Sequence, residues 1–143
     1  MSDMISPYIS VAEYCCRHCY KLPPDLKKDE DGEWPTFFEA LFGRFKTIRE
    51  LWGKPINITS GYRCLVHNKE LGGELGSVHC FGGALDCAVG INEVDKFAGI
   101  IEDMFEELRM GKYYADGFVH LDIGFLIYPR MSEAWVEGMR WTK

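Results

Sequence analysis

His79 and Asp86 stand seven residues apart in Ser77-Val-His79-Cys-Phe-Gly82-Gly-Ala84-Leu-Asp86, with small residues between them. An imidazole nitrogen and a carboxylate oxygen together suit a borderline-soft divalent cation such as zinc. Gly82, Gly83 and Ala84 are expected to keep the backbone slim where it passes close to that metal. The third ligand expected is His120, downstream in Phe118-Val-His120-Leu-Asp122. Two nitrogens, one carboxylate and an open fourth position describe a catalytic zinc site rather than a structural one. Such a metal polarises a carbonyl and lowers the pKa of bound water towards about 7.

Upstream, Ser60-Gly-Tyr-Arg63 ends a β-rich stretch. The order Ser-Gly-Tyr-Arg, then Ser-x-His-x-x-Gly-x-Ala-x-Asp, then a short strand carrying a histidine resembles the zinc D-Ala-D-Ala carboxypeptidases. It also resembles the related phage peptidoglycan endopeptidases, whose fold the hedgehog signalling domain shares. The central motif is matched at Ser77, His79, Gly82, Ala84 and Asp86, and the likeness runs from about Ser10 to Trp141. The resemblance implies one zinc per chain on His79, Asp86 and His120. It implies a substrate drawn from peptidoglycan stem or cross-link peptides. Arg63 is expected to hold the substrate carboxylate, since its guanidinium is planar, always charged and bidentate. Ser77 is expected to hydrogen-bond the substrate backbone, and capping a turn is an equally good use of it.

The general base does not carry over from the family. There an acidic residue or histidine sits three or two positions before the last zinc histidine, and this chain has Gly117 and Phe118 at those places. Two carboxylates stand nearby. Asp122 is two residues past His120, so on a strand both point to one face. It is expected to take the proton from water and return it to the leaving amine. The other use for such a carboxylate is to orient a zinc histidine. Asp116 lies in an Asp-Gly pair, and turn formation accounts for it without catalysis.

The 143 residues fit a single domain, and a composition 47% hydrophobic and 14% aromatic supplies a core. A net charge of -6 argues against nucleic acid or an anionic membrane surface as partner. No apolar run approaches the roughly 18 residues of a membrane span. The first residues lack a basic region followed by an apolar stretch, so synthesis in the cytoplasm without a signal peptide is expected. For a cell-wall hydrolase this fits a phage or prophage enzyme, released by a holin or carried in the virion. A monomer is expected.

Six cysteines are many for a reducing compartment. Cys16-x-x-Cys19, with Cys15 and His18 beside it, has the form of half a metal site. No second such pair follows, and Cys64 is the one plausible distant partner. Small buried thiols are the expectation, because free cysteine usually behaves so and disulfides rarely persist in the cytosol.

The intervening elements follow from period and caps. Ser10 to Glu13 reads as a capping box opening a short helix to about Cys16. Thr36 to Glu39 reads as a second capping box. Behind it Phe37, Phe38, Leu41, Phe42, Phe45, Ile48, Leu51 and Trp52 form one apolar helical face, closed by Gly53. Residues 55–60 read as a strand and 63–71 as a short helix ended by Gly72 and Gly73, with His67 a packing or surface residue. Residues 85–89 read as a buried strand. Asn92 is expected to cap a helix whose apolar face runs from Val94 to Leu108 and which Gly111 ends. A hairpin follows around Asp116-Gly117, and Trp135 and Trp141 of the tail are expected to pack on the sheet. The predicted fold is α+β, one hedgehog/DD-peptidase-like domain over residues 1–143, with a small antiparallel sheet and helices on one side. Two non-catalytic classes stay open on this fold: a zinc-binding interaction module and a virion structural module.

Overall fold

The computed structural model describes residues 3–73, 77–127 and 137–143. The fold is α+β. Met4–Ser6 (β1) and Ile9–Ser10 (β2) form a small antiparallel ribbon that leads into the helix Val11–Tyr14 (α1). The helix Thr36–Trp52 (α2), the strand Asn57–Ser60 (β3) and the helix Leu65–Glu70 (α3) follow. Then come Ala84–Ala88 (β4), the helix Val94–Met104 (α4), Arg109–Tyr113 (β5), Phe118–Asp122 (β6) and Arg140–Thr142 (β7). The larger sheet has the order β3-β4-β6-β5-β7.

Four of these strands pair antiparallel as expected, but β7 runs parallel to β5. The reason lies in the connections. β5 and β6 are joined by a tight turn that forces antiparallel pairing, whereas β7 follows β6 through a long segment that leaves its direction free.

Strand alternation divides the sheet into two faces. Leu85, Cys87, Met110, Val119 and Leu121 point one way and are almost fully buried. They join Phe38, Leu41, Phe42, Phe45, Ile48 and Trp52 of α2 and Val94, Phe97, Ala98 and Ile101 of α4 in one apolar cluster. Burying each such large side chain stabilises the fold by about 1.5–3 kcal/mol. Edge-to-face pairs between Tyr14 and Phe42 and between Trp52 and Phe97 orient the rings within it. The opposite face carries the polar residues described below.

The capping box of α1 is present: Ser10 Oγ accepts from Glu13 N, and Ser10 N donates to the Glu13 carboxylate. The helix stops at Tyr14, two residues short of the expectation, because Cys15 is extended and the Tyr14 carbonyl accepts from Tyr62 N at 2.7 Å. Gly53 closes α2 with φ 77°, a left-handed conformation open to glycine. The second capping box does not form. Thr36 is already helical, and the Pro35 carbonyl takes the amides of Phe38 and Glu39. Asn92 does not cap α4 either; a 3-10 turn over Ile91–Glu93 runs straight into the helix.

That helix ends at Met104 and not at Gly111. Leu108 remains buried beyond it, and residues from Arg109 onward pair one by one with β6. Non-local pairing overrides a local pattern whose Arg-Met-Gly-Lys alternation is a poor strand signal. Trp135 lies outside the described residues, and Trp141 packs on the polar face in β7.

Gly82 and Gly83 answer a different need from the one expected of them. A Cβ at Gly82 would meet Tyr14 Oη at 2.6 Å and Pro23 Cγ at 2.7 Å, and one at Gly83 would meet Phe37 Cζ at 2.9 Å. Core side chains therefore crowd these glycines. Gly82 also has φ 78°. Gly82→Ala is expected to lose about 2–5 kcal/mol, from a strained φ and from overpacking. Gly99, helical and with no atom of the described residues within 4 Å of its Cβ position, is expected to gain about 0.5–1 kcal/mol on Gly99→Ala. Denaturant melts of the two variants, which should shift in opposite directions, check the contrast.

Candidate metal centre

Strand register builds the site. Reading across the sheet at one level, Ser60 stands opposite Asp86, Asp86 opposite His120, His120 opposite Gly111, and Gly111 opposite Trp141. The next level sets Ala84, Asp122 and Arg109 side by side. Asp86 and His120 therefore share the polar face, and β4 and β6 hold them together as directly opposed cross-strand neighbours.

His79 comes from outside the sheet. It sits in the 3-10 turn Val78–Phe81, which Ser77 opens by accepting from His79 N at 3.3 Å. Gly82 ends that turn in a left-handed conformation and sends the chain into β4. His79 Nδ1 lies 2.7 Å from the Gly61 carbonyl. A carbonyl only accepts, so Nδ1 carries a hydrogen and Nε2 is the nitrogen left for a metal. Nε2 faces Asp86 Oδ1 at 3.3 Å.

His120 is oriented from its other side. Its Nε2 lies 2.6 Å from Asp122 Oδ2, and its Nδ1 lies 2.9 Å from the same Asp86 Oδ1. Donation of Nε2–H to Asp122 leaves Nδ1 as the nitrogen that faces His79 and Asp86. The two imidazole rings lie 5.0 Å apart. One donor atom from each of His79, Asp86 and His120 falls within 4.8 Å of the others. Tetrahedral zinc with N and O ligands separates them by about 3.3 Å, so the measured 3.3 and 2.9 Å contacts fit a metal between them.

The charges agree with this arrangement. Burial alone would raise the pKa of Asp86, but the charge of His79 and the hydrogen bond to His120 pull it well below the usual carboxylate range. Burial would push His120 down, but its bonds to Asp122 and Asp86 outweigh that and raise it to about 9. A metal that takes a ring nitrogen must displace such a proton, so acid opposes binding.

Asp122 does share the face of His120, as strand periodicity requires, but both of its oxygens are engaged. Oδ2 meets His120 Nε2, Oδ1 accepts from Gly124 N at 2.8 Å, and Arg109 Nε stands 3.6 Å from Oδ1. The carboxylate is fully buried and lies on the far side of the imidazole from Asp86. It does not face the open side of the site. Asp116 is exposed in the hairpin turn.

Arg63 follows β3 directly, and its amide donates to the His79 carbonyl at 3.1 Å. Its guanidinium is pinned by Asn68 Oδ1 at 3.0 Å and Ser60 Oγ at 3.2 Å, and lies 3.9 Å from Asp86 Oδ2. Its Nε is buried and has no hydrogen-bond partner among the described residues. Asn68, buried on α3, received no role from the sequence; its place five residues past Arg63, on a helix that turns it back, was the available signal. Two further residues had no role at the site from the sequence, which had Trp141 only packing on the sheet. The Gly61 carbonyl sets the tautomer of His79. Trp141 lies 5.2 Å from the His120 ring, over Gly111, whose Cβ would meet the indole at 2.2 Å. His67, read as a packing or surface residue, stacks on His18 with ring centroids 6.0 Å apart.

Among curated proteins no match to the chain is found. A family model, peptidase M15, matches residues 20–122. That span takes in β3, the His79 turn, β4, the β5–β6 hairpin and every side chain named at the centre save Trp141. A match over most of the chain, agreeing with a converged His-Asp-His set, places this chain in the peptidase M15 family.

Proposed function

We propose that the chain is a zinc-dependent peptidase acting on peptidoglycan stem or cross-link peptides, with His79, Asp86 and His120 as its metal ligands. One observation carries the reading. Two histidines have their outer nitrogens tied to acceptors, so both turn the remaining ring nitrogen toward the same carboxylate oxygen. Such ties are the usual support of a metal-binding imidazole. When bound, zinc supplies a Lewis acid that polarises the scissile carbonyl and activates water.

The other residues position and hold. Asp122 fixes the ring and tautomer of His120, in place of the proton-accepting role its spacing suggested. Ser77 caps the turn that delivers His79. Arg63 supplies a fixed positive charge beside Asp86 that suits a substrate carboxylate, and Asn68 and Ser60 prevent it from collapsing onto Asp86. The cell-wall substrate, and action as a phage or prophage enzyme released by a holin or carried in the virion, rest on the motif resemblance. Purified sacculi and a synthetic D-Ala-D-Ala peptide separate endopeptidase from carboxypeptidase work. Product that disappears with chelator and returns with zinc supports the peptidase. Bound zinc without product from either substrate would leave a non-catalytic binding or virion module.

Three outcomes are expected. His79→Ala and His120→Ala should each lose one zinc relative to the parent chain by elemental analysis, and full retention in both would remove them as ligands. Asp122→Asn should keep the fold but weaken zinc affinity roughly 10–100-fold, the usual effect of losing a histidine's supporting carboxylate. Parental zinc affinity with turnover cut by roughly 10²–10⁴-fold would instead make Asp122 the base. Arg63→Lys should retain zinc and lose activity, because lysine keeps the charge without the two-pronged geometry; equal hydrolysis rates would take Arg63 out of the site.

A further inference from the structure

The cysteines do not behave as a scatter of buried thiols. Cys15 and Cys87 fit that description, but Cys16, Cys19 and Cys64 converge, with their sulfur atoms all within 4.8 Å of one another. Cys16 and Cys19 flank a tight loop after α1, in the Cys-x-x-Cys spacing that presents two sulfurs to one metal. Cys64 arrives from 48 positions away, as the N-terminal cap of α3. Tetrahedral zinc with thiolate bonds of about 2.3 Å sets its sulfurs about 3.8 Å apart, so the three need only small shifts to bind one ion.

Backbone amides point at two of the sulfurs. The amides of His18 and Cys64 both donate to Cys16 Sγ at 3.4 Å, and the amide of His67 donates to Cys64 Sγ at 3.4 Å. Backbone donors aimed at a sulfur favour its ionised, metal-binding form. A fourth donor stands at hand. His18 Nδ1 is 3.8 Å from Cys64 Sγ, while its Nε2 faces Glu70 Oε1 at 3.9 Å. A carboxylate behind the outer nitrogen is the arrangement that steadies a zinc-binding histidine. A disulfide fits less well, since it would join two of three gathered sulfurs and strand the third.

We propose that Cys16, Cys19 and Cys64, completed by His18, bind a structural zinc ion separate from the His79 centre. Four protein ligands and no open position define a structural site. Its mechanical effect follows from where the ligands sit. It clamps the chain leaving α1 to the start of α3, one residue past Arg63, where Tyr62 N already bonds to the Tyr14 carbonyl. The ion holds Arg63 in place without touching substrate. This site stands whether or not the neighbouring centre is catalytic.

The full chain, purified with reductant, tests the site by metal content. The parent should carry two zinc ions, His79→Ala one, and Cys19→Ser or Cys64→Ser one. Serine at position 64 still caps a helix, so metal loss there is not loss of the cap. Cobalt substitution adds an independent readout. A thiolate-to-cobalt charge-transfer absorption should persist in His79→Ala and vanish in Cys64→Ser. His18→Ala should keep that absorption while releasing zinc to chelator faster than the parent; an equal rate removes His18 from the set. Unchanged zinc content in both serine variants, or alkylation mapping that finds two of the three cysteines joined in chain purified anaerobically without reductant, overturns the site.

Discussion

The antiparallel pairing of β4 with β6, in the register that sets Asp86 opposite His120, is the constraint on which the rest depends. Strand side chains alternate, so a slip of β6 by one residue against β4 would send His120 into the apolar core and bring Val119 and Leu121 to the polar face. The core enforces the register. Leu85, Cys87, Val119 and Leu121 are fully buried beneath α2 and α4, and a one-residue slip would expose two of them while burying a charged group. Packing on one face of the sheet thus positions chemistry on the other.

Around that pair the molecule tolerates an unusual density of shielded polar groups because they are linked. The Gly61 carbonyl bonds His79, His79 faces Asp86, Asp86 bonds His120, His120 bonds Asp122, and Asp122 is held by Gly124 N and Arg109. A buried ionised group without partners is costly, and a connected chain spreads that cost while fixing each orientation. The same linkage explains why Asp122 is tied up. A carboxylate holding an imidazole and an amide at once has both oxygens occupied. Trp141 over Gly111 adds an apolar wall beside His120.

A second lacing joins the N-terminal segment to the same region. Tyr62 N bonds the Tyr14 carbonyl, Cys64 N bonds Cys16 Sγ, and Tyr14 Oη bonds the Gly82 carbonyl at the end of the His79 turn. Tyr14 is fully buried, and its crowding of Gly82 leaves room for no side chain there. The loops carrying His79 and Arg63 are therefore anchored to α1 and the residues just after it, by one backbone bond and two bonds to side chains, rather than left as free connections. Gathered cysteines at this junction extend the same anchoring.

Much of this was determined by the sequence alone, and the reason is range. The face of α2, the Gly53 cap, the Ser10–Glu13 box and the spacing of Ser77, His79, Gly82, Ala84 and Asp86 are written within a turn or two of chain, where propensity and periodicity act. The family follows from that motif. What tertiary structure decided lies between distant segments. β5 exists because β6 pairs with it, against a weak local pattern, and β7 runs parallel because no tight turn constrains it. The expected role of Asp122 rested on sharing a face with His120, which is correct. Whether it meets the ring or the open side depends on Asp86, which approaches from 34 positions away and takes the other nitrogen. Cys64 reaches Cys16 across 48 positions, a distance at which spacing rules carry no information, and only the folded chain brings those sulfurs together.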